Sequence, residues 1–170
     1  MTGAPKVLIA GVGNTLRGDD GFGVEVARRL ADASLPDGCA VVETGIGGIA
    51  LVQELQEGWD GLVVVDTVDV GRPPGTVVVI VPDVVDVERL DPMERHDLLA
   101  DMHLATPERA LMLARALGVL PTRVRLVGCQ PTDAHAVSDE LTSPVAAAVE
   151  VALDEVRRLC ESWSGVEPAP

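Results

Sequence analysis

The chain has 170 residues, 47% of them hydrophobic, which is typical of a globular protein with a packed core. Its 27 acidic and 13 basic residues give a formal net charge of -14, and such a surface repels the phosphate backbone of nucleic acids. Three widely spaced cysteines predict free thiols, and no apolar run has the length of a secretory signal or a membrane span. We therefore expect a cytoplasmic protein with no nucleic-acid or membrane partner. We expect one domain over residues 1–170, with a core at about 6–160 and a frayed tail at 161–170.

Strands and helices alternate along the sequence. Short apolar runs that end at glycine or polar residues predict five strands: Lys6–Val12, Cys39–Thr44, Gly61–Thr67, Thr76–Val81 and Val124–Cys129. Helical spacing of apolar residues predicts four helices: Gly21–Ala33, a segment around Ile49–Leu55, a segment from the N-cap Thr106 to Gly118, and Ser143–Cys160 with Ser143 as its cap. This alternation predicts an α/β fold.

One connection makes the predicted sheet mixed. Only the residues DVGRPPG separate the third strand from the fourth, whereas a parallel crossover needs a dozen or more. We therefore expect these two strands to form an antiparallel hairpin. The stretch Pro82–Met102 is acidic and weakly periodic, which predicts a long loop with one helical turn at most, and loops of this length are often functional.

Polar side chains follow the predicted strands, at the edge of the sheet where α/β proteins form their sites. They are Asn14, Asp19 and Asp20 after strand one, Glu43 and Thr44 at the end of strand two, Asp66 and Asp69 at the end of strand three, and His96 and His103 in the long loop. Carboxylates and a histidine converging there could hold a first-row divalent metal such as nickel or zinc.

Each of these residues also has a structural interpretation. Asp19 and Asp20 precede a helix, where an acid is favoured as a cap or as a partner of the helix dipole. Asp66 follows three valines and could simply bind loop amides. The spacing of His96, His103 and His135 does not identify one of them as a ligand.

The first Gly-rich turn allows a second interpretation. A strand followed by Gly11, Gly13 and a helix is typical of dinucleotide-binding folds. The third glycine of that fingerprint is missing, because its position is Leu16, and two aspartates at the helix start would repel a pyrophosphate. Glu43 at the end of the second strand could bind a ribose hydroxyl, so this alternative stays open.

Four segments carry a more specific resemblance. The motif GVGNTLRGDDGFG (Gly11–Gly23) resembles the opening motif of the hydrogenase maturation proteases, the endopeptidases that trim a C-terminal extension from nickel-iron hydrogenase large subunits. The segments ETGIGGIAL (Glu43–Leu51), VVVDTV (Val63–Val68) and RLVGCQP (Arg125–Pro131) resemble later parts of the same family in the same order. The resemblance covers about residues 6–157.

The resemblance implies a fold, a site and a substrate. The family fold is a three-layer sandwich with a twisted, mixed five-stranded sheet between helices. The family's metal-binding positions fall on Asp20, Asp66 and His103, with His96 as the alternative histidine. Asp20 and Asp66 would also be the catalytic residues of an aspartic-type or metal-dependent endopeptidase. The residues implied to line the substrate cleft are Gly11, Gly13, Asn14, Gly45, Gly47 and Gly48.

The resemblance also implies that nickel arrives in the precursor of the hydrogenase large subunit, already inserted. The enzyme would work as a monomer and share the metal with its substrate. Two mechanisms remain open: the metal could activate a water or the peptide carbonyl, or an aspartate could act as a general base. A non-enzymatic alternative is a chaperone that binds the nickel-loaded precursor without cutting it.

Overall fold

The structure, a computed structural model, describes residues 4–100 and 106–165. A five-stranded sheet in the order β2-β1-β3-β5-β4 forms the centre of these residues. The strands are β1 (Val7–Val12), β2 (Cys39–Gly45), β3 (Gly61–Thr67), β4 (Val77–Ile80) and β5 (Arg123–Cys129). The helices are α1 (Phe22–Ala31), α2 (Gly48–Leu55), α3 (Pro92–Ala100), α4 (Pro107–Ala116) and α5 (Ser143–Ser164), with 3-10 turns at Gly18–Gly21 and Val87–Arg89.

Helices cover both faces of the sheet, so the predicted three-layer architecture is confirmed. Strands β1 and β3 are buried on both faces, and their alternating side chains enter two separate apolar clusters. One cluster joins Val7, Ile9, Val63 and Val65 to α1 and α5. The other joins Leu8, Ala10, Leu62 and Val64 to α2 and α4.

Strand β4 is antiparallel, as expected, but the expectation that it pairs with β3 is wrong. β4 pairs antiparallel with β5, and β5 lies between it and β3. The connection 68–76 crosses the end of β5, which needs a span of only about 10 Å for two strand spacings. A short link therefore excludes a parallel crossover without requiring a hairpin. The partly exposed β4 occupies the edge, whereas β5, with Val124, Val127 and Cys129 buried, occupies an inner position.

The stretch expected to be mainly loop contains α3. Its start is a capping box: the Asp91 carboxylate accepts hydrogen bonds from the backbone N–H groups of Met93 (2.8 Å) and Glu94 (2.9 Å). The Glu94 side chain in turn accepts one from the N–H of Asp91 at 3.0 Å. This D-x-x-E pattern was the sequence signal for a helix in a segment whose hydrophobic periodicity is weak.

The final helix differs from its prediction at both ends. α5 is capped by Thr142 rather than Ser143, and it continues to Ser164, so residues 161–164 are helical instead of frayed. Residues 166–170 lie outside the described residues. Thr106 is the N-cap of α4, as predicted, although its side chain makes no capping hydrogen bond. Within the described ranges, no helix combines the length and the apolar character that crossing a membrane requires.

Candidate active site

The parallel strands β2, β1, β3 and β5 end at one edge of the sheet, and two of the predicted site residues meet there. Asp20 lies in the 3-10 turn that follows β1, and Asp66 is the penultimate residue of β3. Because β1 and β3 are neighbours in the sheet, their carboxyl ends bring these two acids to the same place. We call Asp20 and Asp66 the acid pair.

Asp20 is held by both neighbouring strand ends. One carboxylate oxygen accepts a hydrogen bond from the backbone N–H of Asn14 at 3.0 Å. The other accepts a longer one, 3.4 Å, from the hydroxyl of Thr67 at the end of β3. Its carboxylate is only partly buried, and these two donors from the described part of the chain do not use all its lone pairs, so it has capacity for a metal ion or a further proton donor.

Asp66 has unusual electrostatics for an aspartate. Burial raises its pKa from 3.8 to about 7, against the opposing effect of a hydrogen bond from the N–H of Thr67 at 2.7 Å. The charges of Asp20 and of Glu108 in the first turn of α4 contribute smaller increases, which the value of about 7 includes. Asp66 can therefore exchange a proton near neutral pH, and a cation between the two carboxylates would relieve their repulsion.

A glycine lets the turn that carries Asp20 reach the end of β1. Gly13 has φ of +137°, and a Cβ at this position would overlap the carbonyl oxygen of Asp20. Any other residue would push the 3-10 turn away from the strand end and move Asp20 from Thr67. Gly13 therefore positions the acid pair, in addition to its predicted place in the substrate cleft.

Asp19 has a structural role, but its contacts differ from the helix cap that its position before a helix suggested. It is fully buried and makes no cap. Its carboxylate accepts hydrogen bonds from the N–H of Thr132 (2.8 Å), the N–H of Asp133 (3.3 Å), the N–H of Thr142 (2.7 Å) and the Thr142 hydroxyl (3.0 Å). Four donors compensate a charge that is removed from water. This Asp19 clasp ties the turn before α1 to the loop between β5 and α5.

A second polar anchor at this edge, Gln130, was missed by the sequence analysis. Its side-chain oxygen accepts hydrogen bonds from the N–H groups of Val70 (2.8 Å) and Arg72 (3.2 Å). Its side-chain nitrogen donates to Asp69 at 3.1 Å, and this bond is the main cause that lowers the pKa of Asp69. Asp69 therefore fixes the β3–β4 connection. Glu108 was also missed, because nothing in the sequence places it beside Asp66.

A cavity of about 230 Å³ lies between the turn that follows β1 and the end of β2, and neither acid of the pair lines it. It is lined by Gly13, Asn14, Thr15, Val24, Arg28, Glu43, Gly45 and Ile46. Asn14 therefore contacts both the cavity and Asp20. Of the other predicted cleft residues, Gly11 lies inside β1 against Gly23, while Gly47 and Gly48 begin α2. The Glu43 carboxylate forms an ion pair with the guanidinium of Arg28, with Oε1 and Nε 3.2 Å apart.

The histidine that would complete the metal site, His103, lies outside the described residues. His96 is exposed on α3, and His135 is exposed in the loop after β5. In the part of the chain that the structure describes, no three His, Cys, Asp or Glu side chains form a group that could hold a metal. The cysteines Cys39, Cys129 and Cys160 are free thiols, as predicted.

The fold agrees with that of solved peptidases. A hydrogenase 2 maturation peptidase from a Thaumarchaeota archaeon is 34% identical, with a TM-score of 0.65 over 95% of this chain and 99% of its own. The hydrogenase maturating endopeptidase HybD from E. coli is 25% identical, with a TM-score of 0.73 over 92% of this chain and 93% of its own.

Sequence comparison identifies the family. The hydrogenase maturation protease profile matches residues 24–159. The hydrogenase expression/formation protein HupD of Rhizobium leguminosarum bv. viciae is 34% identical over 161 residues, which cover 94% of this chain and 76% of HupD. The corresponding protein HupM of Azotobacter chroococcum is 39% identical over 90% of this chain and 71% of its own. The chain belongs to the hydrogenase maturation protease family and is a peptidase, which removes support from the dinucleotide-binding alternative.

Proposed function

We propose that the protein is a cytoplasmic endopeptidase that removes the C-terminal extension of a nickel-loaded hydrogenase large-subunit precursor. The observation that carries this proposal is the acid pair: two partly buried carboxylates at neighbouring strand ends, one of them bound by Asn14, which also lines an open cavity. Family membership supports the peptide substrate. Among residues 4–100 and 106–165, Asp20 accepts hydrogen bonds from Asn14 and Thr67 alone, which leaves acceptor capacity for a ligand from the substrate.

In this proposal Asp20, Asp66 and His103 hold the nickel that the precursor brings. Carboxylate oxygens and an imidazole suit this metal, and the unsatisfied lone pairs of the acid pair fit a shared cation. Nickel would supply Lewis-acid chemistry, polarising the scissile carbonyl or lowering the pKa of a water. The protein's own contribution is to orient the peptide and to move a proton.

Asp66 is the better placed of the two acids for proton transfer. Without a metal its pKa is about 7, so an Asp66 carboxylate that does not bind nickel would be able to take a proton from a water and return it to the leaving amine near neutral pH. As a nickel ligand Asp66 would instead be ionised with a lower pKa and would serve to hold the metal. Asp20 is fixed by Asn14 and Thr67, and it would hold the metal at the ends of β1 and β3.

The test is cleavage of a purified large-subunit precursor, with and without inserted nickel. We expect the wild type to cut only the loaded precursor. Asp20→Asn, Asp66→Asn and His103→Ala should each reduce kcat/KM by about 1,000-fold or more, equivalent to roughly 4 kcal/mol of transition-state stabilisation. Circular dichroism should show that all three variants are folded.

Two control variants make the result specific. Asp69→Asn changes a carboxylate at the same edge but keeps an oxygen acceptor for Gly71, so cleavage should stay within about twofold of wild type. His96→Ala should likewise have little effect. Loss of cleavage in His96→Ala but not in His103→Ala would move the histidine ligand to residue 96. Tight binding of the loaded precursor without any cleavage would support a chaperone instead.

A further inference from the structure

The last turns of α5 lie over the first residues of the central strands. The ring of Trp163 packs so closely on Gly61, the first residue of β3, that a Cβ at Gly61 would lie 2.7 Å from it. Gly61 is the register partner of Val7, and Val7 is in turn the partner of Cys39 at the start of β2. Because residues paired in register direct their side chains to the same face of a sheet, the side chain of Cys39 lies on the face that α5 covers. This region is at the amino edge of the sheet, opposite the acid pair.

Two cysteines, far apart in the sequence, meet at this edge. Cys160 lies on α5 about one turn before Trp163, and it is fully buried in the apolar cluster that also contains Val7. Cys39 packs against the same cluster and remains partly exposed. The two thiols lie close enough for each to shift the pKa of the other. Both are free in the described structure, which therefore represents the reduced form of the pair.

The surroundings make Cys39 the nucleophile of the pair. Interaction with the Cys160 thiol lowers the pKa of Cys39, against the opposing effect of burial. The same interaction, together with burial, raises the pKa of Cys160. The Ser164 hydroxyl also lowers the pKa of Cys39, and because its buried oxygen has no hydrogen-bond partner among the described residues, it can donate to a Cys39 thiolate. A partly exposed thiol of lowered pKa beside a second thiol is the arrangement in which cysteines oxidise readily.

We propose that Cys39 and Cys160 form a reversible disulfide that links the start of β2 to the end of α5 when the protein meets a disulfide oxidant such as glutathione disulfide. The Cys39 thiolate attacks one sulfur of the oxidant, the S–S bond of the oxidant breaks, and one glutathione leaves with the electron pair and gains a proton. The Cys160 thiol then gives up its proton and attacks the Cys39 sulfur, which expels the second glutathione. In total the two protein thiols lose two electrons and two protons, and the oxidant gains them.

The disulfide acts on the stability of the fold. It closes a loop of about 120 residues, which lowers the conformational entropy of the unfolded chain. We expect the oxidised protein to unfold at a temperature about 5–15 °C higher than the reduced protein. The bond joins elements at the amino edge, whereas Asp20 and Asp66 lie at the carboxyl edge, so the inference does not depend on the proposed function.

The experiment incubates the purified protein with glutathione disulfide, removes the oxidant, and titrates the remaining free thiols after denaturation. The wild type should fall from three reactive thiols to one, and dithiothreitol should restore all three. Peptide mass spectrometry should identify Cys39 and Cys160 as the linked pair. Thermal unfolding followed by circular dichroism, with and without dithiothreitol, measures the gain in stability.

Three variants make the result specific. Cys39→Ser should neither form the disulfide nor gain thermal stability. Cys160→Ala should stop at the first step and retain one glutathione on Cys39. The matched control is Cys129→Ala, which removes the third thiol from the end of β5, where burial raises the pKa of Cys129 to about 11. This control should oxidise as the wild type does.

Three results would each overturn the inference: three thiols that persist in the wild type, a disulfide that involves Cys129 or joins two chains, or an oxidised protein no more stable than the reduced one. Cys39→Ser changes a partly exposed residue, so it keeps the test decisive should Cys160→Ala fail to fold. None of these measurements uses the precursor. Failure of the disulfide therefore leaves the proposed function standing, and failure of precursor cleavage leaves the disulfide standing.

Discussion

Two neighbouring carboxylates, Asp19 and Asp20, leave the same 3-10 turn and end in opposite surroundings. Asp19 is fully buried and receives four hydrogen bonds, so its charge is compensated by the protein alone. Asp20 is partly exposed, receives two hydrogen bonds from the described residues, and its charge raises the pKa of a second acid, Asp66. The difference separates a satisfied carboxylate, which holds the loops together, from one that keeps acceptor capacity and that we propose as a ligand for the substrate.

The largest expected effect tests the structural side of this comparison. Asp19→Ala should lower the free energy of unfolding by about 3 kcal/mol, because it leaves several buried donors without an acceptor. Asp20→Ala should cost less than about 1 kcal/mol, since its two donors can reach water. Urea unfolding monitored by circular dichroism measures both. Asp154→Ala, at an exposed surface pair on α5, is the control. Equal losses for Asp19 and Asp20 would contradict the division of roles.

The second prediction concerns protonation in the acid pair. The native-state pKa of Asp66, about 7, lies above the value near 3.9 of an unfolded aspartate, so the folded protein keeps a proton that the unfolded chain releases. The stability that this proton contributes is present below about pH 4 and is lost as the pH rises through 7. Asp66→Asn, which imitates the neutral carboxyl, should therefore gain stability relative to wild type between pH 4 and 7.

Urea unfolding of both proteins at several pH values between 4 and 8.5 measures this difference. The two stability curves should diverge up to about pH 7 and then run parallel. Asp154→Asn, an exposed carboxylate, should follow the wild type throughout. Parallel curves for Asp66→Asn over the whole range would mean that Asp66 titrates like an ordinary aspartate.

A smaller effect is expected at Gln130, which anchors the β3–β4 connection as Asp19 anchors the loop before α5. Gln130→Ala should cost about 1–2 kcal/mol, because the N–H groups of Val70 and Arg72 lose their acceptor. Amide hydrogen exchange should accelerate at these two residues more than in β3. Gln53→Ala, on the exposed side of α2, should change neither quantity. Unchanged exchange at Val70 would show that the connection is held by other contacts.

The sequence predicted the parts of this structure that depend on local patterns. Apolar runs located the strands within a residue or so, and the resemblance of Gly11–Gly23 to the family motif led to the correct fold and to Asp20 and Asp66 as candidates. Local patterns could not show that β5 enters between β3 and β4, because that order depends on which strand has the more buried surface. They also could not separate Asp19 from Asp20, whose difference arises from a loop more than a hundred residues away.

The smallest expected effect sharpens the description of the acid pair. Glu108, exposed on the first turn of α4, is the weakest of the groups that raise the pKa of Asp66. Glu108→Gln should lower that pKa by less than about half a unit, because solvent screens an exposed charge. The carboxyl resonance of Asp66, followed by NMR between pH 4 and 9, measures the change. Glu155→Gln on α5 is the matched control and should leave the titration unaltered. A large decrease with Glu108→Gln would mean that repulsion between acids, rather than burial, holds Asp66 protonated, and the acid pair would then include a third member.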